Sequence, residues 1–219
     1  MLAPDLLTRV AAIDTAALCD ADSSIRVMAP GLRPVTSFRQ MVGRARTVRC
    51  RDDFLTVIQA LRDAGPGEVL VIDGGGGTRA LAGELFATEA ARRGLAGIVI
   101  DGACRDTPKL ATLELPFYAR GVCPAAGTAQ RLGATQLAVV CGGVTVAPGD
   151  VVIGDGDGIV VVSESELLAL LPRAEEVQRT EAAVLERLER GEGLLGMLNF
   201  AEHCEALEQD RSSRLRFRP

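Results

Sequence analysis

Residues 83–106 read GELFATEAARRGLAGIVIDGACRD and contain the clearest evidence for the fold. Glu84 opens a segment of helical character, an apolar strand follows, and Arg105-Asp106 come directly after that strand. Helix starts and strand ends are the places where an α/β fold presents polar groups to a ligand. We therefore expect an acid, an anion-binding arginine and free backbone amides to lie close together here.

The segments around this stretch predict an α/β fold. Residues 68–74, EVLVIDG, are an apolar run typical of a buried strand, and they precede a predicted helix at 80–93 and a predicted strand at 97–102. The order strand–helix–strand predicts a βαβ unit with a parallel pair of strands. A further strand is predicted at 41–50 and a further helix at 53–63.

The N-terminal part predicts one amphipathic helix over residues 4–20, not a signal peptide, because it lacks a basic region before its apolar residues. Residues 22–39 contain two prolines and a glycine and predict a loop. From residue 137 onward, short apolar runs separated by Gly, Pro and Asp predict strands, with Asp157-Gly158 as a hairpin turn.

The C-terminal segment, residues 163–209, is predicted to be helical, with breaks at Gly191 and Gly193. No linker separates it from the preceding residues. We expect one layered domain over residues 1–219.

Composition excludes several classes of protein. Apolar residues make up 47% of the 219 residues, enough for a buried core without metal or disulfide crosslinks. The formal net charge of −5 argues against direct nucleic-acid binding. No run of 18 apolar residues is present, so we expect no membrane span. The six cysteines form no CxxC pair and are expected to be free thiols, which favours a cytoplasmic protein.

Histidine and lysine are scarce, and this limits the catalytic mechanisms that the protein can use. His203 is the only histidine, which excludes sites that need a His pair and disfavours a Ser-His-Asp triad. Lys109 is the only lysine, so Schiff-base chemistry would have to use it. Carbonyl chemistry would then rely on a metal ion held by carboxylates, and oxygen ligands favour Mg²⁺ or Mn²⁺.

Three local features have both a structural and a functional interpretation. The glycine run Gly74–Gly77 matches neither a P-loop nor GxGxxG, and it predicts either a flexible turn or a tight loop beside a ligand carboxylate. Asp101 with Arg105-Asp106 predicts either a salt-bridge arrangement or a site that binds a metal and an oxyanion. Cys104 adjoins Arg105, which would lower its thiol pKa, although no histidine is near it in sequence.

These motifs resemble the RraA-like family, which includes 4-hydroxy-4-methyl-2-oxoglutarate / 4-carboxy-4-hydroxy-2-oxoadipate aldolases and regulators of ribonuclease E activity. The signature is an acidic residue, twenty residues, and then Arg-Asp, here Glu84 followed by Arg105-Asp106. Further similarity lies in LPFYARGVCP at 115–124 and VCGGVTVAPGDVVIGDGDGIVVV at 140–162. The resemblance implies a layered fold like that of phosphohistidine-swivelling domains, assembled as a homotrimer or hexamer.

The resemblance also implies residue roles, at a site between subunits. Asp106 would bind the divalent metal, and Arg105 would bind the keto and enolate oxygen of pyruvate. Glu84 would hold metal-bound waters, together with Glu181 from a neighbouring subunit. The amides of residues 83–86 (Gly83, Glu84, Leu85 and Phe86) would receive the substrate carboxylate. The chain departs from the aldolase pattern at Glu84, where the aldolases commonly have aspartate.

The implied function is a metal-dependent lyase that cleaves a 4-hydroxy-2-oxo acid and also decarboxylates oxaloacetate, since both reactions leave a pyruvate enolate. One alternative is a non-catalytic protein that binds and inhibits ribonuclease E or a similar partner, for which an acidic surface is suited. A remote alternative is the name demethylmenaquinone methyltransferase, attached to some members, although the chain lacks the usual adenosylmethionine-binding loop.

Overall fold

The computed structural model describes residues 1–37 and 40–217, and these form an α/β fold. The helices are α1 Pro4–Ala11, α2 Thr15–Ala21, α3 Leu55–Asp63, α4 Glu84–Arg92, α5 Thr107–Leu110, α6 Glu164–Glu189 and α7 Phe200–Glu208, with a 3₁₀ turn at Leu194–Met197. The strands are β1 Arg26–Val27, β2 Arg33–Pro34, β3 Met41–Arg49, β4 Glu68–Asp73, β5 Ala80–Ala82, β6 Gly97–Cys104, β7 Phe117–Val122, β8 Val139–Cys141, β9 Val144–Val146, β10 Val151–Gly154 and β11 Ile159–Val162.

One mixed sheet organises the described part of the chain. Its nine strands follow the order β1-β11-β10-β3-β4-β6-β7-β2, and β5 pairs with the end of β6. The centre, β3-β4-β6-β7, is parallel, whereas β10, β11, β1 and β2 join by antiparallel pairing. β8 and β9 form a separate antiparallel hairpin.

The predicted βαβ unit is confirmed, because β4 and β6 run parallel and α4 lies between them in the chain. Alternate residues of β4 enter two different cores, as the period of a strand requires. Leu70 and Ile72 pack with α3 and α4, whereas Val69 and Val71 pack with the β8–β9 hairpin. A third cluster joins α1, α2 and α6 to β10 and β11. The sheet is therefore covered on both faces.

Three predicted elements are corrected by the structure. The helix predicted over 4–20 is divided into α1 and α2, because Asp14 caps a new helix by accepting a hydrogen bond from the Ala17 amide at 2.6 Å. The predicted loop 22–39 contains the short strands β1 and β2, while its residues 38–39 lie outside the described part. The helix predicted from residue 80 begins only at Glu84, since residues 80–82 form β5.

The later predictions are confirmed. β10 and β11 form a hairpin in which the Asp155 amide donates to the Gly158 carbonyl at 3.0 Å. The C-terminal segment is helical, and α6 ends before Gly191, which has φ +87°. Among the described residues, no helix combines the length and apolar character that a bilayer crossing requires.

Candidate active site

A cleft of about 180 Å³ lies where β5 and β6 end and α4 begins. Because β5 runs parallel to β6, both strands deliver the residues that follow them to the same edge of the sheet. Most of the predicted site residues line this cleft. The lining consists of Phe54, Ala80, Leu81, Ala82, Gly83, Leu85, Phe86, Arg105, Asp106 and Ala126.

Gly83 lets the Asp106 carboxylate lie directly against the start of α4. A Cβ atom at residue 83 would overlap Asp106 Oδ2 and stand 2.9 Å from Arg105 Cγ. The Glu84 amide donates a hydrogen bond to the same Oδ2 at 3.2 Å. The missing side chain of Gly83 thus permits the contact that joins the two halves of the motif.

Asp106 itself has a left-handed backbone, with φ +61° and ψ +32°, at the N-cap of α5. This conformation costs a non-glycine residue about 1 kcal/mol or more, and such strain is concentrated at functional sites. The Lys109 and Leu110 amides donate to the Asp106 carbonyl at 2.9 and 3.0 Å, so the following turn holds the residue in place.

The N-terminus of α4 presents open backbone amides to the cleft. The Ala87 amide donates to the Gly83 carbonyl at 3.1 Å, and the Glu84 amide donates to Asp106. The amides of Leu85 and Phe86, which lie between residues 84 and 87, have no acceptor among residues 1–37 and 40–217. Unpaired amides at the positive end of a helix dipole form a binding site for a carboxylate.

Arg105 lies beside Asp106, with Nε 3.5 Å from Oδ2, and its side chain is 42% exposed. Its backbone amide donates to the Ala82 carbonyl at 3.1 Å, which fixes the residue to the end of β5. Its terminal guanidinium nitrogens have no acceptor in the described part of the chain. They remain available to an oxyanion in the cleft.

The apolar wall of the cleft includes residues that sequence reasoning missed. Phe54 and Phe86 meet edge to face, with ring centroids 5.7 Å apart. Ala126 reaches the cleft through a backbone bridge to Ala80. These contacts join segments far apart in sequence, and the one local signal was the phenylalanine at the start of the predicted helix 53–63.

Asp53 fixes this apolar wall through hydrogen bonds. Its carboxylate, 2% exposed, accepts hydrogen bonds from the Thr128 hydroxyl at 2.6 Å and from the amides of Leu55, Gln130 and Arg131 at 3.0, 2.8 and 3.2 Å. Burial alone would raise the pKa of Asp53, but these hydrogen bonds outweigh it and lower the pKa to about 2. The charged carboxylate therefore holds the segment around Ala126 against α3.

The two predicted glutamates occupy different places. Glu84 touches Asp106 through its amide, while its half-buried side chain is not part of the cleft lining. Glu181 lies on α6 in another cleft, together with Asp20 and Arg173. Partial burial and the charges of Asp14 and Asp20 raise the pKa of Glu181. Within one chain, the structure does not bring Glu181 into the Asp106 cleft.

The predicted grouping of Asp101 with Arg105-Asp106 is wrong. Asp101 forms an ion pair with Arg120 on β7 and accepts a hydrogen bond from the Gly142 amide at 2.7 Å. It therefore ties β6 to β7 and to the β8–β9 hairpin, which is the salt-bridge interpretation.

The glycine loop is closed by the protein's own carboxylates. Asp52 Oδ1 accepts hydrogen bonds from the amides of Thr78 and Arg79, both at 2.8 Å, and Asp73 accepts one from Gly75 at 2.9 Å. Gly75 and Gly76 have φ of +57° and +70°, as a tight turn requires. Those amides are thus already satisfied without a ligand.

The expectation of a low thiol pKa at Cys104 is wrong. Cys104 is fully buried, and burial raises its pKa to about 11. A neutral thiol is a poor nucleophile, so Cys104 serves as an apolar core residue.

The donor set of the cleft fits a hard divalent cation. Within residues 1–37 and 40–217, no three His, Cys, Asp or Glu side chains converge into a metal-binding group. Asp106, however, presents an exposed carboxylate whose Oδ1 has no partner in that part of the chain. Mg²⁺ is commonly held by one or two carboxylates and keeps several waters. Asp106 would hold such an ion, with waters completing its shell.

Comparison with known proteins shows the family of this chain. A model of the RraA-like family, described as Aldolase/RraA, matches residues 15–161. The chain belongs to the RraA-like family. A relative from Halalkalibacterium halodurans, provisionally named a 4-hydroxy-4-methyl-2-oxoglutarate aldolase, is 35% identical over 82% of this chain and 86% of its own length.

Two solved structures resemble this one. The RNA-processing inhibitor RraA from Thermus thermophilis is 31% identical with a TM-score of 0.65, covering 69% of this chain and 93% of its own. A Geobacillus kaustophilus protein named an S-adenosylmethionine:2-dimethylmenaquinone methyltransferase is 35% identical with a TM-score of 0.66. The match covers 69% of this chain and 95% of that protein. The predicted family and fold class are thereby confirmed.

Proposed function

We propose that this protein is a divalent-metal-dependent lyase of the pyruvate aldolase type. Its substrate would be a 4-hydroxy-2-oxo acid such as 4-hydroxy-4-methyl-2-oxoglutarate or 4-carboxy-4-hydroxy-2-oxoadipate, with oxaloacetate as a decarboxylation substrate. The observation that carries the proposal is the convergence, in one apolar cleft, of the Asp106 carboxylate, the Arg105 guanidinium and the open amides of α4. The provisional names of aldolase relatives support it.

Each group has a separate task in binding. The Leu85 and Phe86 amides would donate hydrogen bonds to the C1 carboxylate, which would place the C2 keto oxygen toward Arg105 and Asp106. The bound cation would supply positive charge that polarises this oxygen. Phe54 and Phe86 would exclude water from the reacting end, which strengthens these electrostatic contacts.

Cleavage moves one proton and one electron pair. The proton leaves the C4 hydroxyl, the C3–C4 bond breaks, and its electron pair forms the pyruvate enolate as C4 becomes a carbonyl. The negative charge developing on the C2 oxygen is balanced by the Arg105 guanidinium. Glu84 would orient water beside Asp106 to take up and return the proton, because the lone histidine, His203, lies outside the cleft.

Pyruvate release tests this proposal directly. Purified protein with Mg²⁺ or Mn²⁺ should release pyruvate from at least one of the three named substrates, and chelation should abolish the reaction. Asp106→Ala should reduce the rate to background, and Arg105→Lys should reduce kcat by about a hundredfold, because lysine lacks the planar fork. Asp157→Ala, in the β10–β11 turn, is the matched control. No turnover of any substrate, or full activity of Asp106→Ala, would contradict the proposal.

A non-catalytic role in inhibiting a ribonuclease is the second candidate, favoured by the likeness to the Thermus inhibitor. Such a role does not depend on the cleft, so Asp106→Ala should inhibit ribonuclease E as well as the unmodified protein does. If neither the unmodified protein nor Asp106→Ala inhibits ribonuclease E, this second candidate function is excluded. We do not propose methyl transfer, because the amides of Gly75, Thr78 and Arg79 are already bound to Asp73 and Asp52.

A further inference from the structure

One edge of the cleft carries a guanidinium group that the proposed chemistry does not use. Ala80 and Ala126 form this edge through a backbone bridge, with the Gly127 amide donating to the Ala80 carbonyl at 2.9 Å. Arg79 immediately precedes Ala80, and its Nη1 donates to the Ala126 carbonyl at 3.0 Å. The Arg79 side chain is exposed and lies one hydrogen bond from the lining of the cleft.

The charge on this edge is not neutralised. Neither Arg79 nor Arg51 has an ion-pair partner among the described residues, although most arginines of that part do. The Asp52 carboxylate faces both: the Arg79 amide is the largest cause of its lowered pKa, and the charges of Arg51 and Arg79 act in the same direction. Two guanidinium groups thus stand near one carboxylate, and an excess positive charge remains at the rim.

The proposed reaction leaves one end of the substrate without a partner. The Leu85 and Phe86 amides, Arg105 and Asp106 would bind C1 and C2. Beyond C4, a dicarboxylate substrate carries a second negative group that must lie away from those residues. A guanidinium at the rim matches a carboxylate in charge and in planar geometry.

We propose that Arg79 binds the second carboxylate of a 4-hydroxy-2-oxo dicarboxylate and so selects such substrates over analogues with one carboxylate; this rests on the proposed lyase function. Arg51 contributes charge beside it. Arg79 is then a specificity-determining residue that acts on substrate binding, while bond cleavage depends on Arg105 and Asp106.

The test compares 4-hydroxy-4-methyl-2-oxoglutarate, with two carboxylates, and 4-hydroxy-2-oxopentanoate, with one. Arg79→Gln removes the charge but keeps a donor for the Ala126 carbonyl. It should raise KM for the dicarboxylate by about fivefold, the size expected for an exposed ion pair, and leave kcat nearly unchanged. KM for the monocarboxylate should not change. Raising the salt concentration should weaken dicarboxylate binding in the unmodified protein more than in the variant.

Arg92→Ala is the control, because it removes one arginine from the far end of α4, where Arg92 pairs with Glu89. An equal effect of Arg79→Gln on both substrates would mean that Arg79 only supports Ala126, and no effect on either would also overturn the proposal. If the unmodified protein turns over neither substrate, calorimetry with 2-oxoglutarate and pyruvate still tests the proposal. Arg79→Gln must then weaken the binding of 2-oxoglutarate but not that of pyruvate. Equal affinity of the unmodified protein and the variant for 2-oxoglutarate would refute the role of Arg79.

Discussion

The position of the Asp106 carboxylate depends on the missing side chain of Gly83. A methyl group there would overlap Oδ2 and crowd Arg105 Cγ at 2.9 Å, so Gly83→Ala must displace the Asp106 carboxylate. We expect pyruvate release to fall about a hundredfold, since catalysis is sensitive to displacements of this size. The melting temperature should change little, because Asp106 is exposed and can move outward.

Gly121→Ala provides the matched control for that experiment. A Cβ atom at residue 121, on β7, would meet nothing within 4 Å. Equal rates for Gly83→Ala and the unmodified protein would show that the contact between Gly83 and Asp106 has no catalytic importance.

The Asp53 carboxylate makes the free energy of unfolding depend on pH. In Asp53→Asn, the amide cannot accept all the hydrogen bonds that the carboxylate accepts, and we expect the free energy of unfolding at pH 7 to fall by about 2 kcal/mol. Because the folded-state pKa is lowered to about 2, the stabilisation is complete above the ordinary pKa of the group and is lost as the pH falls toward 2.

Urea unfolding at pH 7 and at pH 3 measures this contribution. The difference between the unmodified protein and Asp53→Asn should be smaller at pH 3. A difference that is the same at both pH values would contradict the role of the Asp53 charge.

Local sequence was sufficient to bring Gly83, Arg105 and Asp106 together but not to find the whole cleft. Gly83, Arg105 and Asp106 were predicted together because a helix start and a strand end bring them to one edge of the sheet. Phe54 and Ala126 were missed because a bridge between distant segments places them there. Asp101 was grouped wrongly, since its side chain faces Arg120, and no sequence pattern shows that direction.

Among the elements, α6 begins with a complete capping box. Ser163 Oγ accepts from the Glu166 amide at 3.2 Å, and the Glu166 carboxylate accepts from the Ser163 amide at 2.6 Å. Ser163→Ala should therefore lower the free energy of unfolding by about 1 kcal/mol. Its pyruvate release should be unchanged, because the start of α6 is not part of the cleft. Chemical denaturation of Ser163→Ala, with the exposed Ser212→Ala as control, checks this; equal stabilities would contradict it.

Element boundaries were predictable where a local signal exists. The break before Gly191 and the β10–β11 hairpin were predicted from turn residues. The strand β5 was missed because its three residues, Ala-Leu-Ala, are good helix formers and become a strand only by pairing with β6.

For the whole molecule, the parallel pair β4–β6 and the β10–β11 hairpin were predictable, whereas the place of that hairpin in the sheet was not. A βαβ unit is formed by adjacent segments, so its order along the chain determines its topology. By contrast, β10 pairs with β3, and Val152 lies opposite Gly43. The uninterrupted apolar run of β10, Val151–Gly154, indicates that both its faces are buried, but it does not specify which strand is the neighbour.

The separation of Glu181 from the Asp106 cleft within one chain leads to a prediction about assembly. If a neighbouring subunit supplies Glu181, then Asp106→Ala and Glu181→Gln should each be inactive alone, yet mixing and reassembling the two variants should restore activity. In a closed ring, each site would take Asp106 from one subunit and Glu181 from the next. Random mixing in equal amounts should regenerate on the order of a quarter of the sites. Pyruvate release after reassembly, with each variant reassembled alone as control, measures that fraction; no recovery would mean that both residues act within one subunit or that Glu181 has no part in the site.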